Sequence, residues 1–246
     1  MPQQTQIPGT ESLRRLNRDQ VIALILEPFT HGYGFRHLWI GYTGSGKSYA
    51  NVELVKAAAE HVKYVIVTDQ KNRETAYDGE QIPSISALAA CEPDDEGHIE
   101  AVIRGLAMTN NVDDTIDFDV IGKAIWQLSL RDEGVLLGID ELSDACEGER
   151  VWVRGLIKRS YMRLLYSQGR TKRISIAACT QNVQEVPRAA ISNSDTLGIF
   201  RQDRKELPYY AATRFLDAIE LEAVANLGDH EFLFLKRGQE TCVSKF

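Results

Sequence analysis

Apolar residues fall into short runs that alternate with segments of helical spacing. Leu38, Trp39 and Ile40 form a first strand over 37–41. Ala50, Leu54, Val55 and Ala58 then recur at helical intervals to about His61. A second strand spans Tyr64 to Thr68, residues 72–83 read as loop, and Ser84 to Cys91 reads as a short strand. Helices are expected from Gly97 to Met108 and from Val120 to Leu130. The apolar run 135–141, a basic helix, and strands Ile174 to Thr180 and Thr196 to Arg201 follow. Helices fill 206–227, and the end alternates around Arg237-Gly238-Gln239 as a hairpin. Strands alternating with helices predict an α/β fold, a mainly parallel sheet wrapped by helices, with a C-terminal β-hairpin. Residues 1–36 read as an N-terminal lead-in containing a short apolar segment, Val21 to Leu26. Residues 37–246 read as one domain.

The loop after the first strand carries chemistry. Gly41-x-x-x-x-Gly46-Lys47-Ser48 sits between a strand and a helix, the context of a P-loop. Its glycines allow backbone N–H groups to turn inward around a phosphate, and the helix N-terminus adds a positive dipole. The expected nucleotide-binding residues are Gly41, Thr43, Gly44, Ser45, Gly46, Lys47, Ser48 and Tyr49. Lys47 would reach the β- and γ-phosphates, and the Ser48 hydroxyl would ligate Mg²⁺. The run VLLGIDE ends in Asp140-Glu141 at the edge where α/β sheets bind ligands. Asp140 is the second expected metal residue. Glu141 is placed to orient or deprotonate a water, work that a hydrolase needs and a kinase does not. Together the motifs predict an ATPase using ATP and Mg²⁺.

Composition narrows the class. The 246 residues can bury a full core but leave little room for a second catalytic domain. The four cysteines are scattered, with no C-x-x-C spacing, which argues against structural zinc and disulfides and for a reducing, cytosolic compartment. No apolar stretch is long enough to span a membrane, and no signal peptide is expected. A net charge of −7 excludes binding of nucleic acid over the whole surface. Charge is unevenly placed, however. Glu92 to Asp119 is acidic, with Arg104 as its basic exception. Gly148 to Arg173 is basic, and Arg150, Arg154 and Lys158 repeat every fourth residue, as on one helix face. That face could be merely solvated, could contact phosphate backbone, or could meet another subunit.

The segment GRTKRISIAACTQN adds two groups. Gln181, at the tip of its strand, can sense the γ-phosphate or the attacking water. Arg170, at the turn before the strand, can reach a neighbour's nucleotide, with Arg173 as second candidate. Arg170, Thr180-Gln181, Asp140-Glu141 and an approximate Asp69-Gln70-Lys71 (the family has Pro at the middle position) resemble the motifs of the HerA/FtsK superfamily of DNA-pumping ATPases. The likeness runs from about residue 37 to 202, and DHEFLFLKRG is similar to the closing strands of that group. It implies a RecA-like (ASCE) P-loop fold and a ring of identical subunits, expected as a hexamer, threading double-stranded DNA. Glu141 and Gln181 would act in cis and Arg170 in trans.

The chain shows no sign of the membrane spans, winged helix, inserted helical domain or N-terminal barrel that other members carry. Its compact form is similar to the packaging ATPases of membrane-containing, tectivirus-like viruses. That implies a place in the host cytoplasm or with the virion, docking on a capsid vertex or a membrane protein. The alternatives are a related pump in repair or conjugation, a P-loop assembly factor, and a small-molecule kinase with Arg201, Arg204 and Lys205 as lid residues.

Overall fold

The computed structural model describes residues 13–69, 77, 79–104, 118–131, 133–145, 150–153, 156–181, 183–186, 188–202, 205, 207–212 and 216–246. Among the described residues, ten strands form one sheet. In chain order they are β1 (Arg14–Arg15), β2 (Arg36–Ile40), β3 (Tyr64–Asp69), β4 (Glu80–Ile82), β5 (Ile99–Arg104), β6 (Val135–Ile139), β9 (Ile174–Thr180), β10 (Thr196–Phe200), β11 (Glu231–Lys236) and β12 (Cys242–Lys245). Two further strands, β7 (Arg150–Val153) and β8 (Leu156–Arg159), pair only with each other. The order across the large sheet is β1-β12-β11-β10-β2-β9-β6-β3-β5-β4. The run from β10 to β4 is parallel throughout, while β11 and β12 are antiparallel additions. Strand β9 therefore lies between β2 and β6, which carry the two nucleotide motifs.

Side-chain alternation builds a layer on each face. Leu38, Ile40, Ile66, Leu137, Ile139, Ile174, Ile176 and Ala178 enter one core. It is covered by α3 (Phe118–Ser129), α4 (Tyr161–Gln168) and α5 (Ala218–Asn226), through residues such as Ile121, Ile125, Leu165 and Val224. Trp39, Val65, Val67, Leu136, Ala177 and Cys179 enter the other. There α1 (Arg18–Leu26) contributes Val21 and Ile25, and α2 (Lys47–Ala59) contributes Ala50, Leu54, Val55 and Ala58. The Val21 to Leu26 segment is thus helical, entered through a capping box in which Asn17 and Gln20 exchange hydrogen bonds at 2.9 Å.

Three expected elements differ. Of the helix expected from Gly97 to Met108, the described part is not helical: Ile99–Arg104 is a strand beside β3, in which consecutive Ala101, Val102 and Ile103 are all buried. Burial on both faces removes the alternation that would have marked a strand. Ser84 to Cys91 is not a strand but a 3₁₀ helix over Ile85–Ala90, with Ile85 and Leu88 three apart on the core side. The strand is Glu80–Ile82, within the presumed loop. The basic helix is not formed over Arg150–Val153 or Leu156–Arg159, which are strands. Arg150 pairs with Arg159 and Trp152 with Ile157 in an antiparallel strand pair, as suits β-branched and aromatic residues, and helix α4 begins only at Tyr161. Arg150 and Lys158, in the two strands of this pair, therefore do not share a helix face. Gln70, Lys71, Asp113, Asp114, Asp117, Arg154 and Arg204 lie outside the described residues.

Close approach makes one strand glycine indispensable. Gly198 pairs with Trp39, and a Cβ at Gly198 would stand 2.1 Å from the fully buried indole. Gly198→Ala should therefore cost at least about 1–3 kcal/mol, the usual range for overpacking. Urea denaturation checks this, and an unchanged midpoint would refute it.

Buried polarity supplies a second handle. His37 is fully buried, with Nδ1 2.7 Å from Thr196 Oγ1 and its ring centroid 4.0 Å from that of Trp39. Burial disfavours the charged ring and lowers its pKa from 6.5 to about 3. The unfolded chain therefore binds this proton first as pH falls. The stability contribution is present above pH 6.5 and is lost between 6.5 and about 3, at about 1.4 kcal/mol per pH unit. Comparing denaturation at pH 7 and pH 5 should show His37→Gln with a correspondingly shallower pH dependence than the parent. Equal slopes would remove His37 from the account.

Candidate functional site

The P-loop leaves β2 at Ile40, beside the tip of β9. The Gly41 N–H donates to the Thr180 carbonyl at 3.1 Å. A Cβ at Gly41 would lie 2.5 Å from Ser45 Oγ and 2.9 Å from Phe200 Cβ, so the turn is tight enough to require glycine. Gly46 caps α2 at φ 102, a left-handed conformation, and provides no side-chain cap. The leading amides of α2 thus keep the orientation that suits an anion. Lys47 is buried, and its Nζ donates to the Tyr42 carbonyl at 3.4 Å, across the mouth of the loop. Buried Ser45 Oγ has no hydrogen-bond partner among the described residues. Thr43 and Gly44 are exposed, Ser48 is half-buried on the first turn of α2, and Tyr49 is exposed.

Asp140 and Glu141 follow β6 and are both buried. The Asp140 N–H donates to the Thr68 carbonyl at 3.3 Å, tying it to the end of β3, where Asp69 is also buried. Glu141 Oε1 accepts from the Gln181 N–H at 3.1 Å and from Ser143 Oγ at 3.0 Å. The Gln181 carbonyl oxygen Oε1 in turn accepts from Thr43 Oγ1 at 3.0 Å. One polar chain therefore links the P-loop, the tip of β9 and the carboxylate after β6. Each of the strands β2, β9 and β6 contributes one member.

These residues fit a magnesium nucleotide. The loop would be filled by a Cβ at Gly41, its helix end is uncapped, and a buried lysine points into it. Among the described residues there is no group of three His, Cys, Asp or Glu side chains able to hold a metal. A magnesium ion on a nucleotide takes only one or two protein oxygens and completes its shell with phosphate and water. Ser48 and Asp140 supply hard oxygens of that kind.

Further groups flank the loop that the sequence motifs do not mark. Arg201 donates to the Tyr42 hydroxyl at 2.9 Å and pairs with Asp229 at 3.3 Å. His230, at φ 61, places Nδ1 3.3 Å from the Ser45 carbonyl. Asn51, one turn beyond Lys47, donates to the Tyr77 hydroxyl at 3.1 Å and to the Ala177 carbonyl at 3.4 Å. Burial pushes the Tyr77 phenol well above its ordinary pKa and keeps it neutral. Spacing along the chain gives no signal for these contacts, because the partners come from distant segments.

Arg170 is not brought to the P-loop of its own chain. It lies in a 3₁₀ turn, Gly169–Lys172, before the first residue of β9, whereas Gln181 follows the last. Seven strand residues intervene, about 20 Å at the rise of an extended chain. Arg173 closes that turn at φ 57, on the same edge.

No protein-family model matches the chain, and no curated protein sequence matches it. Solved structures share its fold. The genome-packaging NTPase B204 of Sulfolobus turreted icosahedral virus 2, solved with AMP, superposes over 86% of this chain and 97% of its own, with a TM-score of 0.62 and 19% identity. VirB4 of Thermoanaerobacter pseudethanolicus covers 86% of this chain and 89% of its own at a TM-score of 0.60 and 14% identity. The bacterial conjugative coupling protein TrwB, solved with sulphate, covers 95% and 92% at a TM-score of 0.59 and 11% identity. The chain has the mixed, mostly parallel sheet of the RecA-like P-loop fold.

Proposed function

We propose that the protein is an ATPase of the HerA/FtsK type that drives double-stranded DNA, in the setting of viral genome packaging. The observation that carries this reading is the hydrogen-bonded chain Thr43–Gln181–Glu141, which joins a phosphate-binding loop to a candidate base. The fold shared with a genome-packaging NTPase over nearly that protein's whole length supports the packaging setting, and the likeness to VirB4 and TrwB supports kinship with conjugation ATPases.

On this reading Lys47 and the leading amides of α2 hold the β- and γ-phosphates. Ser48 and Asp140 would hold Mg²⁺, which would neutralise phosphate charge. Glu141 orients and deprotonates the attacking water, its carboxylate fixed by Ser143 and the Gln181 N–H. Gln181, held by Thr43 of the P-loop, passes the state of the loop to Glu141. Arg170 lies too far from its own P-loop to act there, which supports action on the nucleotide of an adjacent subunit in a ring, expected as a hexamer. The chain would work in the host cytoplasm or with the virion, docked on a capsid vertex or a membrane protein. Among the described residues no helix is long and apolar enough to cross a membrane.

ATP turnover should rise when linear duplex DNA is added, and Lys47→Ala should abolish turnover in both conditions while weakening nucleotide binding. Wild-type turnover in Lys47→Ala would end the ATPase assignment.

Glu141→Gln keeps the shape of the side chain but cannot take a proton. It should bind ATP as the parent does and hydrolyse it about 10²–10⁴-fold more slowly. Equilibrium nucleotide binding beside single-turnover hydrolysis separates the two effects. Loss of binding together with hydrolysis would make Glu141 structural or a metal ligand instead.

A further inference from the structure

At the edge of the sheet away from the P-loop, one carboxylate gathers two arginines. Asp195, in the turn before β10, accepts at Oδ2 from the Arg36 N–H at 2.9 Å and from Arg36 Nε at 3.3 Å. Its Oδ1 accepts from Arg36 Nη2 at 3.2 Å and pairs with Arg170 Nη1 at 3.4 Å. The Asp195 N–H returns a bond to the Arg36 carbonyl at 2.8 Å. Arg36 is buried, and its Nη1 donates to the Tyr166 carbonyl. The carboxylate is therefore fixed from both sides of the Arg36 peptide and cannot swing.

Arg36 alone neutralises Asp195, so the part-buried pair is complete without a second cation. Arg170 contributes a surplus positive charge whose side chain is 45% exposed. A half-exposed ion pair adds little to folding stability. What the contact does supply is orientation. The guanidinium lies 5.5 Å from the centroid of the Tyr33 ring, which is also exposed, and the Arg170 carbonyl accepts from the Gly34 N–H at 2.9 Å. Ring, carboxylate and backbone thus restrict a long side chain while leaving part of its planar face in solvent.

We propose that Asp195, locked by Arg36, is the positioning residue for Arg170. It aims the guanidinium at the γ-phosphate of a nucleotide bound by a second copy of this chain, with Tyr33 as the other wall. The proposal rests on the trans-acting reading of Arg170 and names what makes that arginine competent. Fixed geometry matters because a displacement of about 1 Å at a reacting centre can cost about 10²-fold in rate.

The test uses rings mixed from differently tagged full-length subunits. Asp195→Asn keeps the shape of the side chain and weakens its hold on Arg170. It should lower ATP turnover about 10- to 100-fold with nucleotide affinity unchanged. Tyr33→Leu, at an exposed position that carries no buried charge, should lower turnover in the same way by a smaller factor and serves if Asp195→Asn folds poorly. Rings mixing either variant with Glu141→Gln should regain activity, because some interfaces then pair an intact Glu141 with an intact neighbouring edge. Rings mixing it with Arg170→Ala should not, since both lesions damage the same function.

Failure to regain activity with Glu141→Gln, in rings shown to hold both subunits, would mean that Asp195 acts within its own subunit and would overturn the proposal. Turnover at or above the parent level in Asp195→Asn and Tyr33→Leu would overturn it equally. Rings of Arg170→Ala with Glu141→Gln separate this from the reading beneath it. If those recover while the Asp195→Asn rings do not, only the positioning proposal falls. If those also stay inactive, the trans reading itself is wrong.

Discussion

The parallel register of β2, β9 and β6 sets the position of every candidate catalytic group. Ile40 pairs with Thr180, and Ile139 with Ala178, so Gly41, Gln181 and Asp140 leave the sheet at one edge. The bond from the Gly41 N–H to the Thr180 carbonyl extends that register one residue past the strand, into the loop itself. A slip of one residue in β2 would turn Trp39 into the opposite layer and away from Phe232, whose ring centroid lies 5.1 Å from its own. Packing on the two faces therefore enforces an arrangement that only becomes chemistry at the edge.

Strands β2 and β9 carry the Arg36–Asp195–Arg170 cluster at their other ends. Strand β9 is buried along its whole length, starts beside Arg170 and finishes at Thr180. A sheet held this firmly on both faces fixes the separation between the P-loop edge and the Arg36–Asp195–Arg170 edge. On the proposed reading each subunit offers a nucleotide site at one edge and an arginine at the other. That is a head-to-tail arrangement, which closes into a ring when the rotation between neighbours allows. Coupling between neighbouring sites would then travel through one rigid element rather than through a flexible loop.

Much of this was legible because the informative signals are local. The P-loop, the Asp140-Glu141 strand end and Thr180-Gln181 are each contiguous, and the strands that carry them lie where the apolar runs place them. The misread elements have physical causes. Strand β5 is buried on both faces and so lacks alternation. The Arg150 to Arg159 segment has charges at helical spacing but β-branched and aromatic residues that favour strands. The Ala-rich segment after Glu80–Ile82 winds into a 3₁₀ turn. The Asp195 clamp was invisible for a different reason. Arg36 and Asp195 are separated by 159 residues, and no spacing rule joins a strand start to a turn that far away. His230, against Ser45, and Tyr77, against Asn51, entered the site through the same kind of closure between separate segments.

Displacement of a third strand from a triplex at the end of a linear duplex measures movement of the protein along duplex DNA. The account predicts that the wild-type protein releases the third strand in the presence of ATP and Mg²⁺. It predicts no release when ATP is replaced by a non-hydrolysable analogue. ATP hydrolysis that proceeds normally on such DNA while the third strand stays bound would contradict it.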